Sequence, residues 1–193
     1  MDKVIFFFHR KDGLTRAEFF EHYLEVHAKL GMRLTRTMDG YTVSLTDVVD
    51  DATAPDAVTE IWTASSADFM DAEKSFATPD DARELMTDHD SFIGPYDAYL
   101  VEERVVRADD GGTPLGERSP GVKRVSLHAP GEASPVAGDG VVEIVEDRVV
   151  QALTPGAPPV GLVVSMRAAS VADLGAAPAV AYYTSEYRQQ RAG

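Results

Sequence analysis

The sequence predicts an α+β protein in which a β-α-β-β-α-β unit is followed by a shortened repeat of the same unit. Strand-like runs and helix-capping signals alternate in that order over the first 106 residues. After a stretch rich in glycine and proline, short segments of the second half echo the first. The 193 residues suffice for one large domain or two small ones.

The first two predicted elements are a buried strand and a long helix. Lys3 to His9 is an apolar, β-branched and aromatic run, which is typical of a strand buried on both faces. Thr15 and Glu18 form a capping box, which predicts the start of a helix. Apolar residues then recur at spacings of three and four, as on the buried face of a helix: Phe19, Tyr23, Val26, Leu30 and Leu34. Gly31 is a weak point inside this helix.

A β-hairpin follows. Tyr41 to Val49 and Ala57 to Ala64 have the composition and alternation of two strands. The acidic segment Asp50 to Asp56 joins them, and we expect it to be a solvated loop.

Two short helices and a last strand complete the first half. Ser66 is expected to cap one helix, and Pro79 suits the first turn of another that runs to about Thr87. Gly94 and Pro95 are expected to break the chain before a strand over Tyr96 to Val106. The resulting order is that of a ferredoxin-like unit, whose sheet carries helices on one face and leaves the other face bare.

The second half predicts how the bare face is covered. We place an N-terminal domain at 1–106, a linker at 107–121 and a degenerate ferredoxin-like repeat at 122–193. Ala169 to Leu174 echoes Ala64 to Phe69, and Lys123 to His128 resembles the first strand. Between His128 and Val141 there is no room for a second long helix. We therefore expect the repeat to close an α/β barrel over the first sheet within one chain.

Composition excludes several classes of function. A formal charge of −14 would repel a phosphate backbone, which argues against nucleic acid as a partner. No apolar run approaches the ~20 residues needed to cross a bilayer, and no basic segment precedes the first apolar stretch, so we expect a soluble, cytoplasmic protein. Cysteine is absent, and phosphate-loop and metal-binding motifs are absent too. We expect no cofactor and no metal.

His27 is the leading candidate for catalysis. It lies beside the apolar stripe of the first helix, so its imidazole should face the core, where it could act as a general base or acid. The alternative is a hydrogen-bonded core histidine. His22, five residues earlier, should lie about 140° away around an α-helix and therefore be solvated.

Other side chains are candidates for substrate binding or for stabilising charge. Tyr23 and Tyr41 could donate a hydrogen bond to a developing enolate or phenolate, although buried aromatic residues more often fill a core. His9 and Arg10, at the end of the first strand, could hold a carboxylate or carbonyl group. The remaining candidates for lining a pocket are aromatic: Phe19, Trp62 and Tyr96. The run Asp88 to Asp90 is expected to be a solvated helix terminus.

Five segments of the first half form a recognisable pattern: Phe7 to Thr15, Phe19 to Ala28, Glu60 to Trp62, Asp88 to Phe92 and Val101 to Glu103. With these segments the first half resembles the EthD family of dimeric α/β-barrel proteins. The resemblance spans about residues 3 to 106. It implies ferredoxin-like sheets packed into a barrel, a histidine at the position of His27, and relatives that are metal-free decarboxylases, dehydratases or cyclases of aromatic polyketides, or have unclear activity.

Three functions are compatible with these observations. The first is a cofactor-independent lyase or cyclase that acts by His27-mediated proton transfer on a hydrophobic polyketide-like or aromatic substrate. The second is a monooxygenase of the α/β-barrel type, either cofactor-free or haem-dependent. The third is a non-catalytic protein that binds a small hydrophobic molecule. The chain could be a monomer with an internal pseudo-dimer, or a homodimer. In each case His27 is expected to face a chamber roofed by the C-terminal half.

Overall fold

The computed structural model describes residues 1–47, 53–108 and 114–189. Its eight strands form a closed antiparallel barrel in the order β1-β3-β2-β8-β5-β7-β6-β4. The strands are β1 (Asp2–Arg10), β2 (Met38–Thr46), β3 (Ala57–Thr63), β4 (Ile93–Arg107), β5 (Val122–His128), β6 (Val141–Ala152), β7 (Leu162–Ala168) and β8 (Ala181–Arg188). One chain therefore closes the barrel, as the sequence predicted.

The helices belong almost entirely to the first half. They are α1 (Arg16–His22), a π-helical segment (Tyr23–His27), α2 (Ala28–Leu34), α3 (Ser66–Met70), α4 (Ala72–Ser75), α5 (Pro79–Phe92) and a 3₁₀ turn (Val171–Leu174). The capping box of Thr15 and Glu18 starts α1, as predicted. Within the described ranges, none of these helices has the length and apolar character of a membrane span.

The alternation of β1 separates the two faces of the barrel wall. Phe6 and Phe8 point outward and pack beneath the helices. Ile5 and Phe7 point inward and pack against residues of the second half, including Val125. The bare sheet face expected from the sequence is thus the inner wall of the barrel, and the second half covers it.

An ion network occupies part of the barrel interior. Lys3 is buried and its Nζ lies 2.9 Å from Glu60, 2.8 Å from Glu103 and 2.9 Å from Asp147. Lys123 of β5 contacts Glu60 as well. Burial acts to lower the pKa of Lys3, but the attraction of Glu60, Asp147 and Glu103 outweighs it and leaves that pKa above its ordinary value.

Several predicted boundaries are wrong for identifiable reasons. Gly94 and Pro95 do not break the chain but lie inside β4, opposite an irregularity of β1 between Phe8 and Arg10. A Cβ at Gly94 would lie 2.8 Å from the carbonyl oxygen of Arg10, so this close approach requires a glycine.

The helix boundaries also shift. Ser65, not Ser66, caps α3 through a bond from the amide of Asp68, and α5 continues five residues past Thr87 to Phe92. Val26 is 43% exposed, because the π-helical segment rotates it away from the core.

The loop joining the hairpin strands is only partly described, since residues 48–52 lie outside the described ranges. Its last residue, Asp56, is buried rather than solvated and pairs with Arg10 and Arg16. Residues 109–113 of the predicted linker are likewise outside the described ranges. The domain division stays a prediction.

Candidate active site

A cavity of about 330 Å³ lies between the outer face of the sheet and the helices of the first half. Its walls come from β1, β2, β3, the π-helical segment, α2 to α5 and the start of β4. The lining residues are Phe6, Phe8, Tyr23, His27, Gly31, Thr35, Met38, Tyr41, Thr59, Ile61, Phe69, Met70, Ala72, Ser75, Phe76, Ala82, Leu85, Met86, His89 and Tyr96. All of these belong to the first half. The expected roof from the C-terminal half is therefore wrong, because that half covers the opposite face of the sheet.

The π-helical segment brings two histidines to one carboxylate. Nε2 of His22 lies 2.8 Å from Oδ1 of Asp88, and Nδ1 of His27 lies 2.7 Å from Oδ2 of the same residue. The amide of Ala28 donates to the carbonyl of Tyr23, a five-residue step that stacks residues i and i+5. The prediction that His22 and His27 occupy different faces is wrong because it assumed a regular α-helix.

Asp88 is the residue that sequence reasoning missed most clearly. It lies on α5, facing the π-helical segment, and its side chain is only 14% exposed. Burial acts to raise its pKa, but hydrogen bonds from His27 and His22 outweigh it and hold the pKa below the ordinary value. Asp88 is therefore an ionised acceptor for both rings and not part of a solvated helix end.

His27 combines a fixed ring with access to the cavity. Its side chain is 11% exposed, and its ring centroid lies 4.9 Å from that of Phe92 and 5.4 Å from that of Tyr23. Because Nδ1 is engaged by Asp88, a neutral ring carries its proton there and keeps a lone pair on Nε2. This arrangement suits a general base that acts through Nε2.

His89 forms a second imidazole in the cavity wall. Its ring centroid lies 5.8 Å from that of His27 and 5.8 Å from that of Tyr96. Burial, together with repulsion from His27, lowers the pKa of His89 to about 4, so its ring is neutral near pH 7. A signal for it was present in the sequence, since it continues the helical stripe formed by Ala82 and Leu85.

Two phenols form the polar floor of the cavity. The hydroxyl of Tyr23 lies 2.6 Å from Oγ1 of Thr59, and Tyr23 and Tyr41 are joined by a hydrogen bond. Burial raises the pKa of Tyr23 to about 12 and the pKa of Tyr41 well above its ordinary value. Both phenols therefore stay protonated near pH 7, and each keeps a hydroxyl proton that it can donate in a hydrogen bond.

The other predicted site residues divide between the cavity and elsewhere. Tyr96 lines the cavity and is 39% exposed. Phe19 does not line the cavity: it is fully buried and packs against Tyr23. Trp62 borders a polar cavity inside the barrel, with Nζ of Lys3 4.8 Å from its ring centroid.

The predicted carboxylate holders lie outside the cavity wall. Arg10 is paired with Asp56 at 2.5 Å and bonds the carbonyl oxygen of Leu14, so its charge is already compensated. His9 is half-buried near the end of β1. Among the residues the structure describes, no lysine or arginine lines the cavity. Over the same residues, no three histidine, aspartate or glutamate side chains converge to hold a metal ion.

Comparisons with known proteins support the resemblance found in the sequence. Residues 11–95 match the EthD domain. None of the curated proteins matches the chain. Sixteen chains of solved structures do match. One of them, described as an anthrone oxidase-like protein, is 12% identical with a TM-score of 0.60, over 98% of this chain and 92% of that chain. At this level of identity the likeness shows the fold.

Proposed function

We propose, from the match of residues 11–95 to the EthD domain, that the chain is an enzyme that needs no cofactor and acts by proton transfer. Its substrate is a hydrophobic, aromatic or polyketide-like small molecule. The observation that carries the proposal is the position of His27 in the wall of an apolar cavity, with Asp88 bonded to its Nδ1. A buried imidazole oriented by a carboxylate suits general-base catalysis.

His27 takes the proton. The carboxylate of Asp88 holds the Nδ1 proton, so Nε2 accepts a proton from an acidic carbon next to a carbonyl group of the substrate. The imidazolium that forms is stabilised by the negative charge of Asp88 at 2.7 Å. The same histidine returns the proton, either to an oxygen that leaves as water in dehydration, or to the alkoxide oxygen that forms when the carbanion closes a ring on a carbonyl carbon.

The phenols stabilise the negative charge that develops on the substrate. The Tyr23 hydroxyl shares hydrogen bonds with Thr59 and with Tyr41, and a phenol of this pair donates its proton to the oxygen of an enolate or phenolate. Because burial keeps both phenols protonated, they serve as hydrogen-bond donors and do not compete with His27 for the substrate proton.

The cavity favours a neutral substrate. A buried carboxylate on the substrate would need a compensating cation, and the described residues place no lysine or arginine in the cavity wall. Since Arg10 is committed to Asp56, we rank dehydration and ring closure above decarboxylation. The aromatic and methionine side chains of the wall suit a planar fused-ring system.

A second candidate, cofactor-free oxidation, begins with the same proton transfer. The similarity in fold to an anthrone oxidase-like protein favours this candidate. The carbanion left on an anthrone-type substrate would add to O₂, and the resulting hydroperoxide would lose water to leave a carbonyl group. O₂ is the oxidant in this reaction and water is the second product.

We also infer that the barrel is an internal repeat of ferredoxin-like units. In barrel order the first half runs β4-β1-β3-β2, and the second half runs β8-β5-β7-β6. These are the same relative positions of four successive strands. The helix that carries His27 has no counterpart in the described part of the second half, so the proposed enzyme has one active site per chain.

The proposal is tested by proton exchange, which does not require the natural substrate. Wild-type protein, His27→Gln and His128→Gln are incubated with 2-tetralone in D₂O, and NMR records the loss of the acidic C–H signal. His128 is a buried histidine of the second half, bonded to Ser126, and serves as the matched control. We expect His27→Gln to lower the exchange rate by about 10²- to 10⁴-fold, with His128→Gln close to wild type.

Equal rates for wild type and His27→Gln would refute His27 as the base. A parallel measurement of O₂ uptake with anthrone separates the two candidates, since dehydration and ring closure consume no O₂.

A further inference from the structure

Gly31 is a glycine that the backbone does not require. It lies within α2, where a glycine destabilises the helix relative to an alanine. A Cβ built at this position meets no atom within 4 Å, apart from its chain neighbours and the backbone of its own helix. Neither a close approach nor a special backbone conformation therefore explains why a side chain is missing here.

The space over Gly31 belongs to the cavity. Gly31 is buried and lines the same wall as His27, one helical turn further along. Side chains four residues apart on a helix are direct neighbours, about 5–6 Å apart at Cβ. The adjoining part of the wall is formed by residues of α5, including Ala82 and Leu85. A side chain at position 31 would therefore enter the cavity beside the imidazole of His27.

We propose that Gly31 determines which substrates fit, by leaving room for a fused ring next to the reacting carbon. The inference rests on the proposed function, because it assigns the space beside the proposed base to the part of the substrate that adjoins the reacting ring. Larger residues at position 31 would restrict the cavity to smaller ring systems. Glycine makes the helix less stable than alanine would. In return it leaves open the part of the cavity that a side chain would fill.

A graded series at position 31 tests the proposal. The variants are Gly31→Ala and Gly31→Leu, with Lys29→Leu as a control that places the same leucine on the exposed face of α2. Two fluorescent probes differ by one fused ring: 2-naphthol and 2-hydroxyanthracene. Fluorescence titration measures the dissociation constant of each probe, and thermal unfolding measures stability.

The expected pattern has opposite signs for stability and binding. Gly31→Ala should raise the unfolding midpoint by about 2–4 °C and weaken binding of the three-ring probe a few-fold. Gly31→Leu should weaken the three-ring probe tenfold or more and change the two-ring probe less. Lys29→Leu should leave both dissociation constants within twofold of wild type.

Two results would overturn the inference. One is unchanged binding of the three-ring probe to Gly31→Leu, and the other is a lower unfolding midpoint for Gly31→Ala, which would reveal a steric need for glycine. The test does not depend on turnover. If 2-tetralone exchange fails while the size series behaves as expected, the proposed base is wrong but the role of Gly31 stands.

Discussion

Strands β1 and β5 occupy corresponding places in the two halves. They resemble each other on the inner face of the barrel and differ on the outer face. On the inner face they are alike, since Lys3 and Lys123 both contact Glu60. On the outer face they diverge. Phe6 and Phe8 of β1 border the cavity, whereas β5 presents Arg124 and Ser126, both buried.

The difference shows that the outer face of this sheet can be filled by packed chain in one half and left open as a cavity in the other. In the second half, the chain segment near the 3₁₀ turn packs directly on the sheet, and the guanidinium of Arg124 donates to the carbonyls of Gly175 and Ala176 at 3.2 and 3.0 Å. In the first half the longer helices stand off the sheet and leave a cavity. The inner faces carry the ion network that joins the two halves, and the apolar cavity lies on the outer face of the first half.

If the ion network of the inner face holds the two halves of the barrel together, removing Lys3 should cause the largest loss of stability. Lys3→Met leaves three carboxylates without their shared partner, of which Glu60 and Asp147 are almost completely buried. We expect a loss of about 3–5 kcal/mol in the free energy of unfolding, measured by urea denaturation. Lys29→Met, on the exposed face of α2, should change it by less than about 0.5 kcal/mol. Equal stabilities would show that the network does not hold the halves together.

The sequence predicted the scaffold better than the site. Runs such as β1 and the capping box at Thr15 identify elements because burial and capping are local properties. The same periodicity placed Tyr23 and His27 on the buried face of the first helix. Which face of the sheet would hold the cavity is a matter of packing between distant segments, and no local pattern encodes it.

The sequence also did not predict that His22 and His27 share Asp88, and the reason is the π-helical segment. The 100° step of an α-helix separates His22 from His27, and only the π-helical segment aligns them on Asp88. The apolar spacing of three and four over this stretch predicts a regular α-helix, so it does not reveal the π-helical turn. The sequence around Asp88 does not reveal its partners, because they lie more than sixty residues away in the chain.

Substitutions on the outer face of the first half should lower activity and leave the stability of the barrel largely unchanged. Asp88→Asn keeps an oxygen for the Nδ1 proton of His27 but removes the charge that stabilises the imidazolium. We expect proton exchange on 2-tetralone to fall by on the order of 100-fold, mostly in kcat, with the acidic limb of its pH profile displaced. Asp90→Asn, exposed two residues further along α5, is the control. A fall in stability without a change in the pH profile would indicate a structural role only.

The smallest expected effect is a pH dependence that originates inside the barrel. Burial is the main cause that raises the pKa of Asp147 from 3.8 to about 6, despite the nearby Lys3. Between these values the folded protein binds more protons at Asp147 than the unfolded chain does, so this carboxylate makes stability fall as pH rises from about 4 to about 6. Asp147→Asn should remove this contribution, on the order of 1–2 kcal/mol, and flatten the stability profile over that range.

The opposite slope belongs to Glu60. Burial acts to raise its pKa, but Lys123 and Lys3 outweigh burial and lower it to about 2, so its contribution is present above about pH 4.5 and is lost as pH falls towards 2. Urea denaturation from pH 3 to 7 should therefore give wild type a maximum near pH 4, where the two slopes cancel, whereas Asp147→Asn should show a plateau up to pH 7. Asp80→Asn, fully exposed at the start of α5, should reproduce the wild-type profile. If Asp147→Asn keeps the maximum, the fall in stability above it does not come from Asp147. The buried charges of the inner face would then not account for the pH dependence.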